Sequence, residues 1–192
     1  MISNLFNKNL LKVLSFFLIS PGSRYNRKEI KEKTEMNNIP LDNTLQKLKS
    51  LNLINENKNI YSLNFNIEKN KEIFDILSNE YKYFNVSYKI FNILVETSEK
   101  LSKIKGIESV FLFGSYAKLI HTESSDIDIA IIAEKKIKNK QKLEKNIKKE
   151  ISRISQKSKK EIQLHFLTQE DIKKYKSDAF IKDVLRNSKQ IL

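Results

Sequence analysis

Phe111-Leu-Phe-Gly-Ser-Tyr-Ala-Lys118, followed by Ser125-Asp-Ile-Asp-Ile-Ala130, is the stretch whose reading decides the fold. An apolar strand closes on a Gly-Ser pair, residues 116–125 make the connection, and an Asp-x-Asp opens the next strand. Asp126 and Asp128 alternate with Ile127, Ile129 and Ile131, so a strand here sends both carboxylates to one face and the isoleucines into the core. Two carboxylates spaced this way can share divalent cations, and Mg²⁺ typically binds through one or two carboxylates plus substrate phosphates. Gly114 removes side-chain bulk where a phosphate must approach, and Ser115 with the amides of the following turn can bond it. The pattern points to metal-assisted chemistry on a nucleotide.

Composition narrows the remaining classes. With 192 residues, the chain suffices for one medium domain or two small ones, and 40% apolar content supports a packed core. The absence of cysteine excludes a disulfide scaffold and thiolate chemistry, and two histidines are too few for a multi-histidine zinc site. An apolar run from Leu10 to Ile19 follows Lys8, but Lys12 interrupts it and Ser20-Pro-Gly-Ser lacks a small-x-small cleavage pattern. No uncharged stretch approaches the roughly 20 residues of a membrane span. These features predict a cytoplasmic protein with no membrane partner. The net charge of +13 is uneven: residues 135–160 hold twelve Lys/Arg against two Glu, whereas residues 1–66 hold ten basic and five acidic residues.

Between residues 4 and 20, Leu5, Leu10, Leu11, Leu14, Phe17 and Leu18 recur at helical spacing, and Pro21-Gly22 ends that helix. Asn26 and Glu29 form a capping-box pattern ahead of a short helix over 27–34. Pro40 suits the first turn of a third helix with a Leu41, Leu45, Leu48, Leu51 stripe, and Asn52 suits its left-handed stop. Leu53-Ile54 and Ile60–Leu63 flank the polar turn 55–59 and read as a β-hairpin. Three short helices and a hairpin over residues 1–66 resemble a winged helix-turn-helix domain. The resemblance implies that the third helix enters the major groove of DNA. Asn43, Thr44, Lys47 and Lys49 would then face outward with Gln46 and Asp42, and the wing would offer Lys58. Asn and Gln can read adenine edges and the lysines contact phosphate, while Asp42 opposes binding. A scaffold or dimerisation surface is the alternative use of such a domain.

Residues 67–104 carry Ile73, Phe74, Leu77, Tyr81, then Ile90, Ile93, Leu94 and Leu101 at helical intervals, predicting two linking helices. From Gly106 the pattern changes to strands over 110–113, 126–133 and 161–167, helices over 138–156 and from Thr168, and a possible terminal strand at 190–192. The fold class is therefore α+β or α/β: a three-helix-plus-hairpin domain (1–66), a helical linker (67–104) and a small mixed sheet (105–192).

Gly114-Ser115, the ten-residue gap and Asp126-Ile-Asp128 look like the signature of the polymerase-beta-type nucleotidyltransferase superfamily, and more narrowly of minimal prokaryotic domains fused to a winged helix. The resemblance implies that Gly114 and Ser115 hold the triphosphate of an NTP, aided by Ser125. Asp126 and Asp128 would bind two Mg²⁺ bridging the phosphates, assisting in-line attack by an acceptor hydroxyl. Active relatives carry a third carboxylate on the neighbouring strand. The matching position here is Gln163 or His165, neither an acid, and Glu161 lies one or two pleats earlier at about 6.6 Å each. His165 is carried as the candidate base. Leu119 replaces the glycine that usually follows the short helix. Some relatives modify a partner toxin in toxin–antitoxin pairs, so a protein hydroxyl is one credible acceptor. The alternative function is a DNA-binding regulator or antitoxin-like protein whose nucleotide-binding domain has lost catalysis. Residues 135–160 permit a basic surface for RNA or DNA, or a solvated helix face.

Overall fold

A computed structural model describes residues 7–135, 137 and 139–192, and divides the chain into two units between Tyr83 and Phe84. Leu5, at the start of the first apolar stripe, and Lys136 and Lys138, in the basic segment, lie outside the described residues.

The first unit opens with α1 (Lys8–Ile19), whose N-terminus is capped by Asn7 accepting from the Leu10 amide at 3.0 Å. β1 (Tyr25–Asn26) leads into α2 (Arg27–Thr34), where the Asn26 side chain accepts from the Glu29 amide and Glu29 accepts from the Asn26 amide. This reciprocal capping is what the sequence spacing required. α3 (Asn38–Ser50) begins two residues before Pro40, so the missing proline N–H falls in the first turn where no intrahelical partner exists. α1 packs on both α2 and α3, burying Leu14, Phe17, Ile30, Leu41 and Leu48.

β2 (Ile54–Asn57) and β3 (Ile60–Leu63) form the hairpin, and β1 adds to β3, giving the order β1-β3-β2. The polar turn is shorter than residues 55–59: only Lys58 and Asn59 turn, both at positive φ (50° and 62°), while residues 55–57 pair with β3. Two consecutive left-handed residues match the twist of the flanking strands, which favours this tight connection. α4 (Glu68–Phe84) is anchored to this unit through buried Asn70, whose Nδ2 donates to the Asn52 and Asn64 carbonyls at 2.7 and 2.8 Å.

The second unit begins its regular structure with α5 (Tyr88–Ser102). It continues through β4 (Ile107–Phe113), α6 (Gly114–Lys118), β5 (Ile127–Ala133), α7 (Lys140–Ser158), β6 (Ile162–Thr168), α8 (Gln169–Lys174), α9 (Ala179–Asn187) and β7 (Lys189–Gln190). The two helices read between the modules thus fall one on each side of the division. The sheet order is β6-β5-β4-β7, with β5 and β6 parallel and the other pairs antiparallel. α5 and α7 back the face that carries Val110, Leu112, Ile127, Ile129 and Ile131. The opposite face is also covered along part of its length, because Phe113, Ala130 and Val184 form a buried cluster with Phe111 and Phe180 beneath α9. Asp128 and Gln163, on the same face, stay partly open to solvent, and the candidate site lies there.

Candidate functional site

Strand register assembles the site. Phe113 stands opposite Asp128 across β4 and β5, and Asp128 stands opposite Gln163 across β5 and β6. Gly114 directly follows Phe113 and adopts φ +67°, a conformation that favours glycine. A Cβ on Gly114 would stand 3.0 Å from Cγ of Asp128, and closer still to its Oδ2. Glycine is therefore required twice over, by backbone conformation and by the approach of Asp128.

Asp126 precedes β5 by one residue, and the Ile127 amide donates to the Glu161 carbonyl at 3.0 Å, fixing where the chain enters the sheet. Gln163 Nε2 donates to Asp126 Oδ2 at 2.9 Å. Gln163, one of the two residues considered for the third-carboxylate position, is thus an amide that orients Asp126 without adding charge. His165 lies two residues further along β6, opposite Ala130, with its ring edge-on to Phe113 at 5.1 Å and against Phe180 at 4.9 Å. Burial pushes the Asp128 carboxyl above its ordinary value of 3.8; nearby His165 pulls it back down and Asp126 adds to the rise.

Neither aspartate has a Lys or Arg ion-pair partner among the described residues, and no group of three or more His, Cys, Asp or Glu side chains gathers there as a cage. Two neighbouring carboxylates are the donor set through which Mg²⁺ typically binds, with waters and substrate phosphates as its other ligands.

The connection between the strands is held by several side-chain contacts. Ser125 Oγ accepts from the Thr122 amide at 2.9 Å, so this hydroxyl braces the turn ahead of Asp126. Lys160 donates to the Glu123 carbonyl at 2.7 Å and lies 5.6 Å from the Tyr116 ring centroid, whose other partner is His121, stacked at 4.2 Å. Lys118 pairs with Asp183 at 2.7 Å, tying α6 to α9. The Lys160–Glu123, Lys160–Tyr116 and Lys118–Asp183 contacts join distant segments, beyond the reach of local pattern reading. Leu119 adopts φ 62° to end α6, which explains why glycine suits that position; a non-glycine residue there costs about 1–2 kcal/mol.

In the first unit, Asn43, Lys47 and Lys58 are exposed. Thr44 is corrected: it is 5% exposed and bonds back to the Pro40 carbonyl at 2.7 Å, because its position falls on the same helix side as Leu41 and Leu48. Lys49 is engaged by Glu56 of the hairpin. Asp42 is neutralised by Arg27, whose Nε and Nη2 donate to its two oxygens at 2.6 and 2.9 Å.

A family model described as polymerase beta, nucleotidyltransferase matches residues 96–192, half of the chain, and the Gly114, Asp126, Asp128 and Gln163 positions all fall within it. The chain belongs to this nucleotidyltransferase family. Comparison with curated proteins and with solved structures yields no match. Among the described residues no helix is long and apolar enough to cross a membrane.

The raised Asp128 carboxyl has a stability consequence. The folded state binds a proton more tightly than the unfolded chain, so stability falls as pH rises from about 3.8 through the raised value. Asp128→Asn is expected to melt at a higher temperature than the parent at pH 7, with the gain shrinking toward pH 3. Mg²⁺ should stabilise the parent and leave the variant unchanged. Thermal scans that show a variant less stable at pH 7 would contradict this.

Proposed function

We propose that this protein transfers a nucleoside monophosphate from an NTP to an acceptor hydroxyl, using the row formed by Gly114, Asp128, Asp126 and Gln163. The observation that carries the reading is the close approach of Gly114 to Asp128: a side-chain-free turn lies directly against a carboxylate that has no Lys or Arg partner among the described residues. Asp126 and Asp128 would hold Mg²⁺; when bound there, the metal supplies charge neutralisation at the α-phosphorus and at the leaving pyrophosphate. Gly114 leaves room for the triphosphate, and Ser115 and Ser125 offer hydroxyls to it. Gln163 keeps Asp126 in one orientation through its 2.9 Å hydrogen bond. The acceptor oxygen bonds to the α-phosphorus as the bond to the bridging oxygen breaks, and His165 takes the acceptor's proton.

Incubation with each labelled NTP, Mg²⁺ and cell lysate tests the reading. Label transfer and pyrophosphate release should fall by about 10²-fold or more in Asp126→Ala/Asp128→Ala, since even outer-shell partners of a metal are worth 10–100-fold. Absence of Asp-dependent transfer with every NTP would overturn it.

Gln163 favours a second reading, because neither it nor His165, the two candidates for the third-carboxylate position, is an acid: a regulator that binds NTP without turning it over. Nucleotide binding that survives with no transfer would select this reading.

For the N-terminal unit we propose a winged helix-turn-helix that binds duplex DNA through α3 and the β2–β3 turn. Support comes from the Arg27–Asp42 pair, which removes the charge that would repel phosphate. Lys47 and Lys58 are the assigned phosphate contacts; Lys49, already held by Glu56, is secondary. Lys47→Ala and Lys58→Ala should each weaken binding to the upstream DNA across sequences and lower the salt slope by about one. Unchanged anisotropy titrations would remove this helix from the reading surface.

A further inference from the structure

The basic face of α7 is the largest charge feature that the proposed transfer site does not use. Lys142, Lys145, Lys149, Ser152, Gln156 and Lys159 follow one another at spacings of three and four, so they lie along one line on the helix, and all are exposed. Other cations of this segment are committed: Lys148 pairs with Glu144, Arg153 with Glu150 and Lys157 with Glu96. Lys142, Lys145, Lys149 and Lys159 have no carboxylate partner among the described residues. At 1.5 Å per residue the line from Lys142 to Lys159 runs about 25 Å, the length of roughly seven nucleotides at 3.4 Å each.

The line does not end on open surface. A groove of about 640 Å³ lies between α7 and the edge strand β6, with Ser152, Gln156, Lys159 and Lys160 on its polar side and Ile162 and Leu164 on its apolar side. Its volume lies within the range of small-ligand sites and suits a single nucleotide. Glu161 at its rim accepts the Ile127 amide, one residue from Asp126, and Lys160 holds the loop leading to Ser125. Charge, groove and site therefore follow in sequence around the β6 edge.

We infer that α7 and the β6 edge bind the phosphodiester backbone of a single nucleic-acid strand and direct it to the Asp126/Asp128 end of the sheet as the nucleotidyl acceptor. The acceptor role rests on the transfer reading; the binding does not. α7 contains no aromatic residue, so bases are not stacked on it and the strand is held without sequence preference. The lysines act as point charges on phosphates, with affinity driven by counterion release.

The test uses the full chain and labelled single strands of about 20 nucleotides, roughly three times the stripe, as RNA and as DNA of the same mixed sequence. The variant Lys142→Gln/Lys145→Gln/Lys149→Gln should bind both at least about tenfold more weakly, with a salt slope reduced by about two, at 0.7 per lost contact. Lys173→Gln/Lys174→Gln/Lys176→Gln, with the same change in charge, should retain most of the affinity. Lys47→Ala/Lys58→Ala should bind single strands as the parent does, which separates this surface from duplex binding. Equal losses in the two lysine triples, no loss in either, or tighter binding of a duplex or an acidic protein would overturn the strand site. A strand that binds but never receives label in the transfer assay would overturn its role as acceptor.

Discussion

The approach of Gly114 to Asp128 is the constraint on which the second unit depends. β4 must end at Phe113 and turn at positive φ, because any side chain at the next position would collide with the carboxylate across the pair. That turn starts α6, and α6 in turn is held by Lys118 to α9, which covers Phe113 and Ala130. A buried cluster thus ends where the carboxylates begin. One side of the row is apolar and rigid while the other is open to substrate, the arrangement that keeps a charged site positioned on regular elements.

Charge is distributed with equal consequence. Among the described residues Asp126 and Asp128 have no Lys or Arg ion-pair partner, whereas Asp42, Asp183 and Glu56 are each answered by a basic side chain. Asp128 is where burial raises a carboxyl, and such perturbed groups cluster at functional sites. Gln163 sits beside them as a donor that orients without adding charge. An amide in place of a carboxylate beside Asp126 leaves less negative charge at this end of the sheet.

Much of this was legible along the chain because it depends on short spacings. Alternation placed Asp126 and Asp128 on one face, the Asn26–Glu29 spacing marked the start of α2, and Asn52 with φ 54° stops α3. Local pattern reading put Gln163 and His165 on one face of β6; the parallel register sets Asp128 opposite Gln163 and Ala130 opposite His165. What was not legible comes from long-range pairing. Arg27 finds Asp42, Lys49 finds Glu56 and Lys160 finds Glu123 only after helices and strands have packed. Thr44 misled for a different reason: a polar residue on a leucine stripe satisfies its hydroxyl on the preceding turn and stays inside. Leu119 holds a left-handed conformation that its own side chain disfavours, so the surrounding turn, not local propensity, decides it.

The central claim is that the Gly114 turn against Asp128 receives the phosphates of an NTP. Calorimetric titration of an NTP in the presence of Mg²⁺, comparing the parent with Gly114→Ala, tests it most directly, with circular dichroism to verify that the variant folds. The account predicts a folded variant whose nucleotide affinity is weaker by at least about tenfold, about 1.4 kcal/mol, because the added methyl displaces Asp128 and fills the phosphate approach. A folded variant that binds the nucleotide as tightly as the parent would contradict it.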